Sequence, residues 1–197
     1  MLIQVILGST RERRFSARAG AWVADRLAQR GDMDVETVDL RDHPLPFFDG
    51  VSPIHTQRDY PTPEVARFGR TIDRADGFVI VTPEYNHGYS AVLKNAIDHT
   101  YVEWRRKPVA FVAWGNVGGA RAVEQLRQVF VEIEMAPLRH AVHMLPDVLI
   151  PAIRAEDPFD LALLDPLLPR LTMLADDLVW WANALTAARA ASEDDAG

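Results

Sequence analysis

The sequence predicts an α/β fold in which five parallel strands form a doubly wound sheet with the strand order 2-1-3-4-5. Five apolar runs of strand length alternate along the chain with segments whose apolar residues recur at helical spacing. Because parallel strands are joined by right-handed crossovers, this alternation favours such a sheet. The 197 residues suit one domain. We expect it to span residues 1–189, followed by a flexible tail at 190–197.

The predicted strands lie at residues 2–7, 35–40, 77–82, 109–114 and 138–144. The first is nearly all apolar, as expected of a central strand that is covered on both faces. Gly8 and Ser9 end this strand, and Gly31 and Asp32 end the helix that follows it.

Helices are predicted between the strands. The first begins at about Phe15 or Ser16, with Ser16 as its N-cap. Others are expected over residues 63–75 and 90–100 and after the glycines at 115–119.

The last part of the chain is predicted to be mostly helical. Asp157-Pro158 is expected to open a helical segment, because Pro is favoured directly after an N-cap residue. The final helix carries an apolar stripe formed by Leu171, Leu174, Leu178, Trp181 and Leu185.

A long Pro-rich connection at residues 41–61 separates the second strand from the next helix. Loops of this length usually cover a pocket or form an interface. Alternatively, Phe47 and Phe48 only fill the edge of the core. The sequence leaves both interpretations open.

Composition excludes several classes of function. The formal charge of −7 argues against nucleic acid as a partner. The lack of Cys excludes thiolate catalysis and cysteine metal sites, and no His spacing typical of a metal site occurs, so no metal is expected. No apolar run approaches the ~20 residues of a membrane span. We therefore expect a cytoplasmic protein without membrane insertion.

The turn after the first strand (residues 8–16, the first turn) carries the groups of a phosphate site. It combines hydroxyls, backbone N–H groups at a helix start and guanidinium groups. It matches neither the P-loop nor the dinucleotide-binding glycine pattern. The alternative is an ordinary capped helix with solvated arginines.

Two further turns are expected at the same edge of the sheet. The third-strand turn (residues 83–90) can present backbone N–H groups and an aromatic face to a flat polar heterocycle. The glycine turn (residues 115–119) either lets the backbone approach a flat ligand or simply makes a tight connection.

Three motifs in these turns, GSTR, PEYN-x-x-x-S-x-x-LKNAID and KPVAFV-x-x-G with a downstream GGARAVEQLR, resemble those of a known family. This family is the NADPH-dependent FMN reductases of the flavodoxin-like fold, which include quinone, azo-dye and chromate reductases. The resemblance covers roughly residues 1–145 and includes the LPFFD segment of the long connection. This chain departs from the family by having His99 where many members have Trp, and by its Glu12-Arg13-Arg14 segment.

The resemblance implies FMN as cofactor and NADPH, or NADH, as electron donor. It implies that the FMN phosphate is held by Ser9, Arg11 and Ser16. It also implies that the isoalloxazine ring is bordered, largely through backbone groups, by Pro83, Glu84, Tyr85 and Asn86, and is flanked by Gly115. Family members commonly form homodimers or homotetramers with active sites near the subunit contacts.

The implied activity is ping-pong hydride transfer from NAD(P)H through FMN to a small-molecule acceptor such as a quinone or a second flavin. The cofactor supplies the chemistry, so no catalytic side chain is assigned. One alternative is an FMN-carrying electron-transfer or redox-sensing module that acts through a protein partner. Another is a protein of the same fold that has lost the cofactor.

Overall fold

The computed structural model describes residues 1–194 and contains a five-stranded parallel sheet. Its strands are β1 Leu2–Leu7, β2 Asp34–Asp39, β3 Gly77–Pro83, β4 Pro108–Trp114 and β5 Ala136–Met144. Their order is β2-β1-β3-β4-β5, which confirms the predicted topology. Every residue of β3 and β4 is buried, as expected for strands with helices on both faces.

Helices cover both faces of the sheet. The α-helices are α1 Ser16–Ala28, α2 Pro53–Thr56, α3 Pro63–Asp73, α4 Ala91–Asp98, α5 Ala120–Glu132, α6 Pro146–Arg154 and α7 Leu168–Asp194. One face packs against α1 and α7, which bury Trp22 and Leu174 respectively. The other face packs against α3, α4 and α5, which bury Phe68, Leu93 and Leu126 respectively.

The prediction that Ser16 caps α1 is wrong. Phe15 occupies the N-cap position and already has helical dihedral angles, so Ser16 lies inside the first turn of the helix. The Ser16 hydroxyl is buried and donates a long hydrogen bond of 3.4 Å to the Ser9 carbonyl. Phe15 itself packs edge-on against Trp114 at the end of β4.

The helical segment predicted at Asp157-Pro158 does not form there. Residues 157 and 158 are joined by a cis peptide bond outside any helix. The next helical turn, a 3-10 helix at Leu161–Leu167, is capped instead by Asp160, whose carboxylate accepts from the Ala162 N–H at 2.9 Å. Helix α6, directly after β5, was not predicted.

The buried stripe of α7 differs from the predicted one at two positions. Trp181 is 40% exposed and Leu185 is only half-buried, whereas Ala182 is fully buried. The small Ala side chain faces the sheet, and successive helical residues point about 100° apart, so the indole is turned outward. Because α7 continues to Asp194, residues 190–194 are helical. Residues 195–197 lie outside the described part, and the flexible tail and the domain limit at 189 stay predictions.

The two phenylalanines of the connection at 41–61 differ in their surroundings, and each agrees with one of the two interpretations. Phe48 packs at 90° against the ring of His99, and its N–H donates to Asn95 Oδ1 at 2.9 Å. Phe47 is 83% exposed. One aromatic residue therefore anchors the connection to α4, while the other is left at the surface. None of the helices formed by residues 1–194 is long and apolar enough to cross a membrane.

Candidate functional site

The three turns lie side by side at the carboxyl edge of the sheet, because β3 is the neighbour of both β1 and β4. The Ser90 hydroxyl donates to the Gly8 carbonyl and so joins the third-strand turn to the first turn. The carboxylate of Glu84 accepts from Arg121 and so joins the third-strand turn to the helix after the glycine turn. The predicted meeting of these turns is therefore observed.

The first turn contacts the third-strand turn through a tyrosine. The Ser9 hydroxyl lies 3.0 Å from the phenolic oxygen of Tyr85. The Arg11 guanidinium lies over the same phenol ring, with its central carbon 3.7 Å from the ring centroid. The side chain of Arg11 makes no hydrogen bond or ion pair with any residue of the described part. Its in-plane N–H groups are therefore available to a ligand.

The start of α1 has the properties of an anion site. Within residues 1–194 no side chain caps this helix, and its first turn holds no acidic residue. The first N–H groups of a helix have no partner inside it and favour a negative charge. Ser9 and Ser16 are both buried next to this helix start.

Arg14 adds a buried guanidinium to the first turn. Its side chain is 8% exposed and is held by an ion pair between Nη2 and Asp39 at the end of β2. Its Nε and Nη1 are buried and have no hydrogen-bond partner among the described residues. Buried donors without partners are rare in native proteins and indicate a missing ligand or water. The sequence places Arg14 in the first turn, but only the structure shows that its donors are unpaired.

The third-strand turn is a tight reversal of the chain. Tyr85 and Gly88 exchange two backbone hydrogen bonds, of 2.8 and 3.0 Å. Asn86 and His87 between them both have positive φ, as in a type I′ turn. The N–H groups of Asn86 and His87 make no hydrogen bond with any described residue, whereas those of Glu84 and Tyr85 are both used. Of these four N–H groups, only those of Asn86 and His87 are free to contact a ligand.

The side chain of Glu84 is used in contacts within the protein. Its side chain is 3% exposed, and its carboxylate accepts from Arg121 N at 3.2 Å and from Arg121 Nε at 2.6 Å. Although burial raises the pKa of Glu84, the hydrogen bonds and charge of Arg121 lower it overall. Glu84 is therefore an anion that caps α5, and its contribution to a ligand is limited to its backbone.

Arg121 was not predicted as part of the site, although its position carries a signal. A cation in the first turn of a helix is unfavourable unless an anion compensates it. Arg121 stands in the first turn of α5, whose N-cap Gly119 offers no side chain. The sequence therefore favours an acidic partner for Arg121, but it does not identify that partner.

The glycine turn is explained by the tight connection from β4 to α5. Gly118 and Gly119 have φ of 67° and 75°, which favours glycine. A Cβ at Gly119 would lie 2.5 Å from Ala113 Cβ, and one at Gly118 would lie 2.9 Å from His143 Cβ. A Cβ at Gly115 would lie 3.1 Å from Glu84 Cβ, so Gly115 lets the two turns approach each other.

The donors of this site fit FMN. Unpaired cationic and helix N–H donors at one end match a phosphate monoester, and free backbone N–H groups at the other match the carbonyl and imine edge of a flavin ring. The assignment of individual residues to the phosphate and the ring stays a prediction.

Comparison with known proteins agrees with this fit. Residues 1–148 match the family model of the NADPH-dependent FMN reductases. The chain is 38% identical over 154 residues to an NAD(P)H-dependent FMN reductase of Schizosaccharomyces pombe, covering 77% of each chain. It is 33% identical over 151 residues to the 2-hydroxy-1,4-benzoquinone reductase of a Burkholderia species, covering 75% of this chain and 73% of the relative.

Among solved structures, the chain resembles the flavoenzyme NAD(P)H:(acceptor) oxidoreductase FerB from Paracoccus denitrificans. The TM-score is 0.69 at 22% identity, and the match covers 93% of this chain and 97% of FerB. At this identity the match shows the fold alone, and it confirms the flavodoxin-like class.

The family match spans most of the chain and includes all three turns. It confirms FMN as the cofactor, NAD(P)H as the electron donor and NAD(P)H oxidoreductase as the activity. The alternative of an electron-carrying module is not favoured. The chain belongs to the NADPH-dependent FMN reductase family.

Proposed function

We propose that this chain binds FMN across its first turn and third-strand turn and uses it to pass electrons from NAD(P)H to a quinone. The observation that carries this proposal is the cluster of unpaired donors at the start of α1, beside a turn with two free backbone N–H groups. Bound FMN supplies the hydride chemistry. The residues of the chain hold the phosphate, orient the ring and exclude water.

The phosphate is proposed to bind at the start of α1. Its negative charge is favoured by the helix N–H groups and by Arg11, whose N–H groups are free. The buried hydroxyl of Ser9 supplies a further donor, and we assign to the same set the buried hydroxyl of Ser16, whose hydrogen bond to the Ser9 carbonyl is long at 3.4 Å. We add Arg14 to this set, because Asp39 fixes one edge of its guanidinium and leaves Nε and Nη1 unpaired.

The ring is proposed to bind against the third-strand turn. The free N–H groups of Asn86 and His87 are the donors for its polar edge, while Pro83, Glu84 and Tyr85 shape the turn. Gly115 flanks the ring from the neighbouring turn. The ion pair of Glu84 with Arg121 fixes these two turns relative to each other, so the ring meets a rigid surface.

A quinone is the acceptor that we favour, because one of the relatives is named as a benzoquinone reductase. A free flavin is the second acceptor of the same activity. Both are small planar molecules that can stack on an exposed ring, and ping-pong transfer uses one binding surface for donor and acceptor in turn.

We also propose that the chain forms a homodimer or homotetramer in the cytoplasm. Phe47, Val51 and Ile54 lie within eight residues of each other in the connection at 41–61 and are all exposed, and exposed apolar surface favours protein contact. Light scattering after size-exclusion chromatography tests this proposal. A Phe47→Glu variant is expected to shift toward the monomer, and a monomeric wild type at micromolar concentration contradicts it.

Absorbance spectroscopy of the purified full chain tests the main proposal. We expect a yellow protein with flavin absorbance, which bleaches under NADPH without oxygen and recovers when a benzoquinone is added. The exposed Arg139 provides a control, since Arg139→Ala removes a cation far from the turns and should change neither signal. A protein that is colourless and gains no flavin absorbance with added FMN contradicts the proposal.

A further inference from the structure

The side chain of Tyr85 contacts the first turn, although its backbone belongs to the third-strand turn. Its phenolic oxygen lies 3.0 Å from Ser9 Oγ, and its ring lies under the Arg11 guanidinium. Both partners are residues that the proposed function assigns to the FMN phosphate. Tyr85 is half-buried, so these contacts are partly shielded from water.

Stacking leaves the donors of Arg11 free. A guanidinium interacts with an aromatic ring through its flat face, whereas its N–H groups point outward in its own plane. The 3.7 Å separation places the guanidinium in direct contact with the phenol of Tyr85. Tyr85 can therefore hold Arg11 in one orientation without competing for the hydrogen bonds that a phosphate would accept.

The hydroxyl of Tyr85 acts on Ser9 in a similar way. Ser9 Oγ has one proton and two lone pairs, so it can accept one hydrogen bond and donate another. When Tyr85 donates to Ser9, the Ser9 proton is free to point at an anion. The Ser9 side chain is buried, so bulk water does not compete for this arrangement.

We propose that Tyr85 is a positioning residue for the phosphate of FMN, acting through Arg11 and Ser9 rather than through the ring. This inference rests on the proposed function, because it needs FMN to bind at the first turn. It predicts that Tyr85 affects the affinity for FMN but not the affinity for riboflavin, which has the same ring and no phosphate.

Flavin fluorescence titration of the full chain, freed of flavin by dialysis, measures both affinities. Tyr85→Leu removes the stacking surface and the hydroxyl, and should raise the Kd for FMN about tenfold. Tyr85→Phe keeps the stacking surface and should raise it about threefold. The Kd for riboflavin should stay unchanged in both variants.

Tyr101→Phe is the matched control. Tyr101 is a buried tyrosine that, like Tyr85, has one side-chain hydrogen bond, which its hydroxyl donates to Glu134 at 2.6 Å, away from the three turns. This variant should change neither flavin affinity. Equal thermal melting curves of the flavin-free variants show that a difference in binding does not come from unfolding.

A double-mutant cycle with Ser9→Ala separates the two contacts. If the Tyr85 hydroxyl acts through Ser9, Tyr85→Phe should have no further effect on the Kd for FMN when Ser9 is already Ala. Additive effects of the two substitutions contradict this step.

Three results distinguish the inference from the function on which it rests. Equal loss of FMN and riboflavin affinity in Tyr85→Leu places the phenol against the ring and overturns the inference. Unchanged FMN affinity in Tyr85→Leu also overturns it, while the proposed function stands. A wild-type chain that binds neither flavin overturns the proposed function, and the inference falls with it.

Discussion

Two buried cations at opposite edges of the sheet differ in whether their donors are satisfied. Lys107 precedes β4 at the amino edge, is 5% exposed, and donates to the carbonyls of Ile72 and Asp73 at the end of α3. Arg14, at the carboxyl edge, is paired with Asp39 but has two buried donors without a partner among residues 1–194. Lys107 is therefore held by contacts within the fold, whereas the unpaired donors of Arg14 indicate a ligand.

Arg11→Ala should produce the largest effect and is the strictest test of the proposed phosphate site at the carboxyl edge of the sheet. Losing charge-assisted hydrogen bonds to a phosphate should raise the Kd for FMN about 100-fold. The free energy of unfolding should change little, because the side chain of Arg11 makes no hydrogen bond or ion pair with any described residue. Flavin titration and urea denaturation measure the two quantities. An unchanged Kd for FMN contradicts the assignment of Arg11 to the phosphate.

The sheet and its ligand-binding edge could be predicted because both depend on local pattern. Apolar runs indicate the strands, and their alternation with helical segments favours a doubly wound sheet, for which 2-1-3-4-5 is the obvious order of five strands. Helix α6 was missed because it follows β5 directly, and its Pro146 and Pro151 weaken the helical pattern. The start of the helical segment predicted at Asp157 was misplaced because Asp157 and Asp160 are both acceptable N-cap residues by sequence. Only packing determines which of them is used.

The sequence predicted that three turns form the site, but it did not predict the side-chain contacts between them. Nothing in the sequence spacing says that Tyr85 points back to Ser9 and Arg11, because a turn can present its side chains in several directions. The pairing of Glu84 with Arg121 likewise depends on the approach of two strands that are far apart in the chain. Long-range side-chain partners are set by packing, which local pattern does not encode.

Glu84→Gln tests a paired group at the same carboxyl edge. The variant should lower the free energy of unfolding by about 2 kcal/mol at neutral pH, because the buried carboxylate that pairs with Arg121 loses its charge. Burial raises the pKa of Glu84, but Arg121 lowers it overall to below the ordinary 4.5, so this stabilisation is present above pH 4.5 and is lost as the pH falls through the folded-state pKa.

Urea denaturation across the acid range measures this difference. The gap between the wild type and Glu84→Gln should close as the medium becomes more acidic than pH 4.5. Glu124→Gln, at an exposed position of α5, should match the wild type throughout. A gap that does not depend on pH would show that the loss comes from packing rather than from the charge of Glu84.

Arg14→Ala tests whether the unpaired donors of Arg14 bind a ligand, as the comparison with Lys107 indicates. It should raise the Kd for FMN about tenfold through the loss of one charge-assisted contact. Arg13→Ala is the control, since Arg13 is exposed in the same turn and makes no ion pair with the described residues. Equal effects of the two substitutions would mean that only the net charge of the turn matters, and that the unpaired donors of Arg14 have no special role.

Substitution of Lys107 should give the smallest effect. This effect should appear in the pH dependence of the free energy of unfolding and not in FMN binding. Burial lowers the pKa of Lys107 to about 8, from an ordinary value of 10.5. Between these values the unfolded chain binds a proton that the folded chain does not, so the free energy of unfolding should rise with pH by about 1 kcal/mol per unit. Urea denaturation at pH 8, 9 and 10 should show this slope in the wild type and in Lys94→Met, but not in Lys107→Met. A slope that survives in Lys107→Met belongs to another titrating group and shows that Lys107 is not its source.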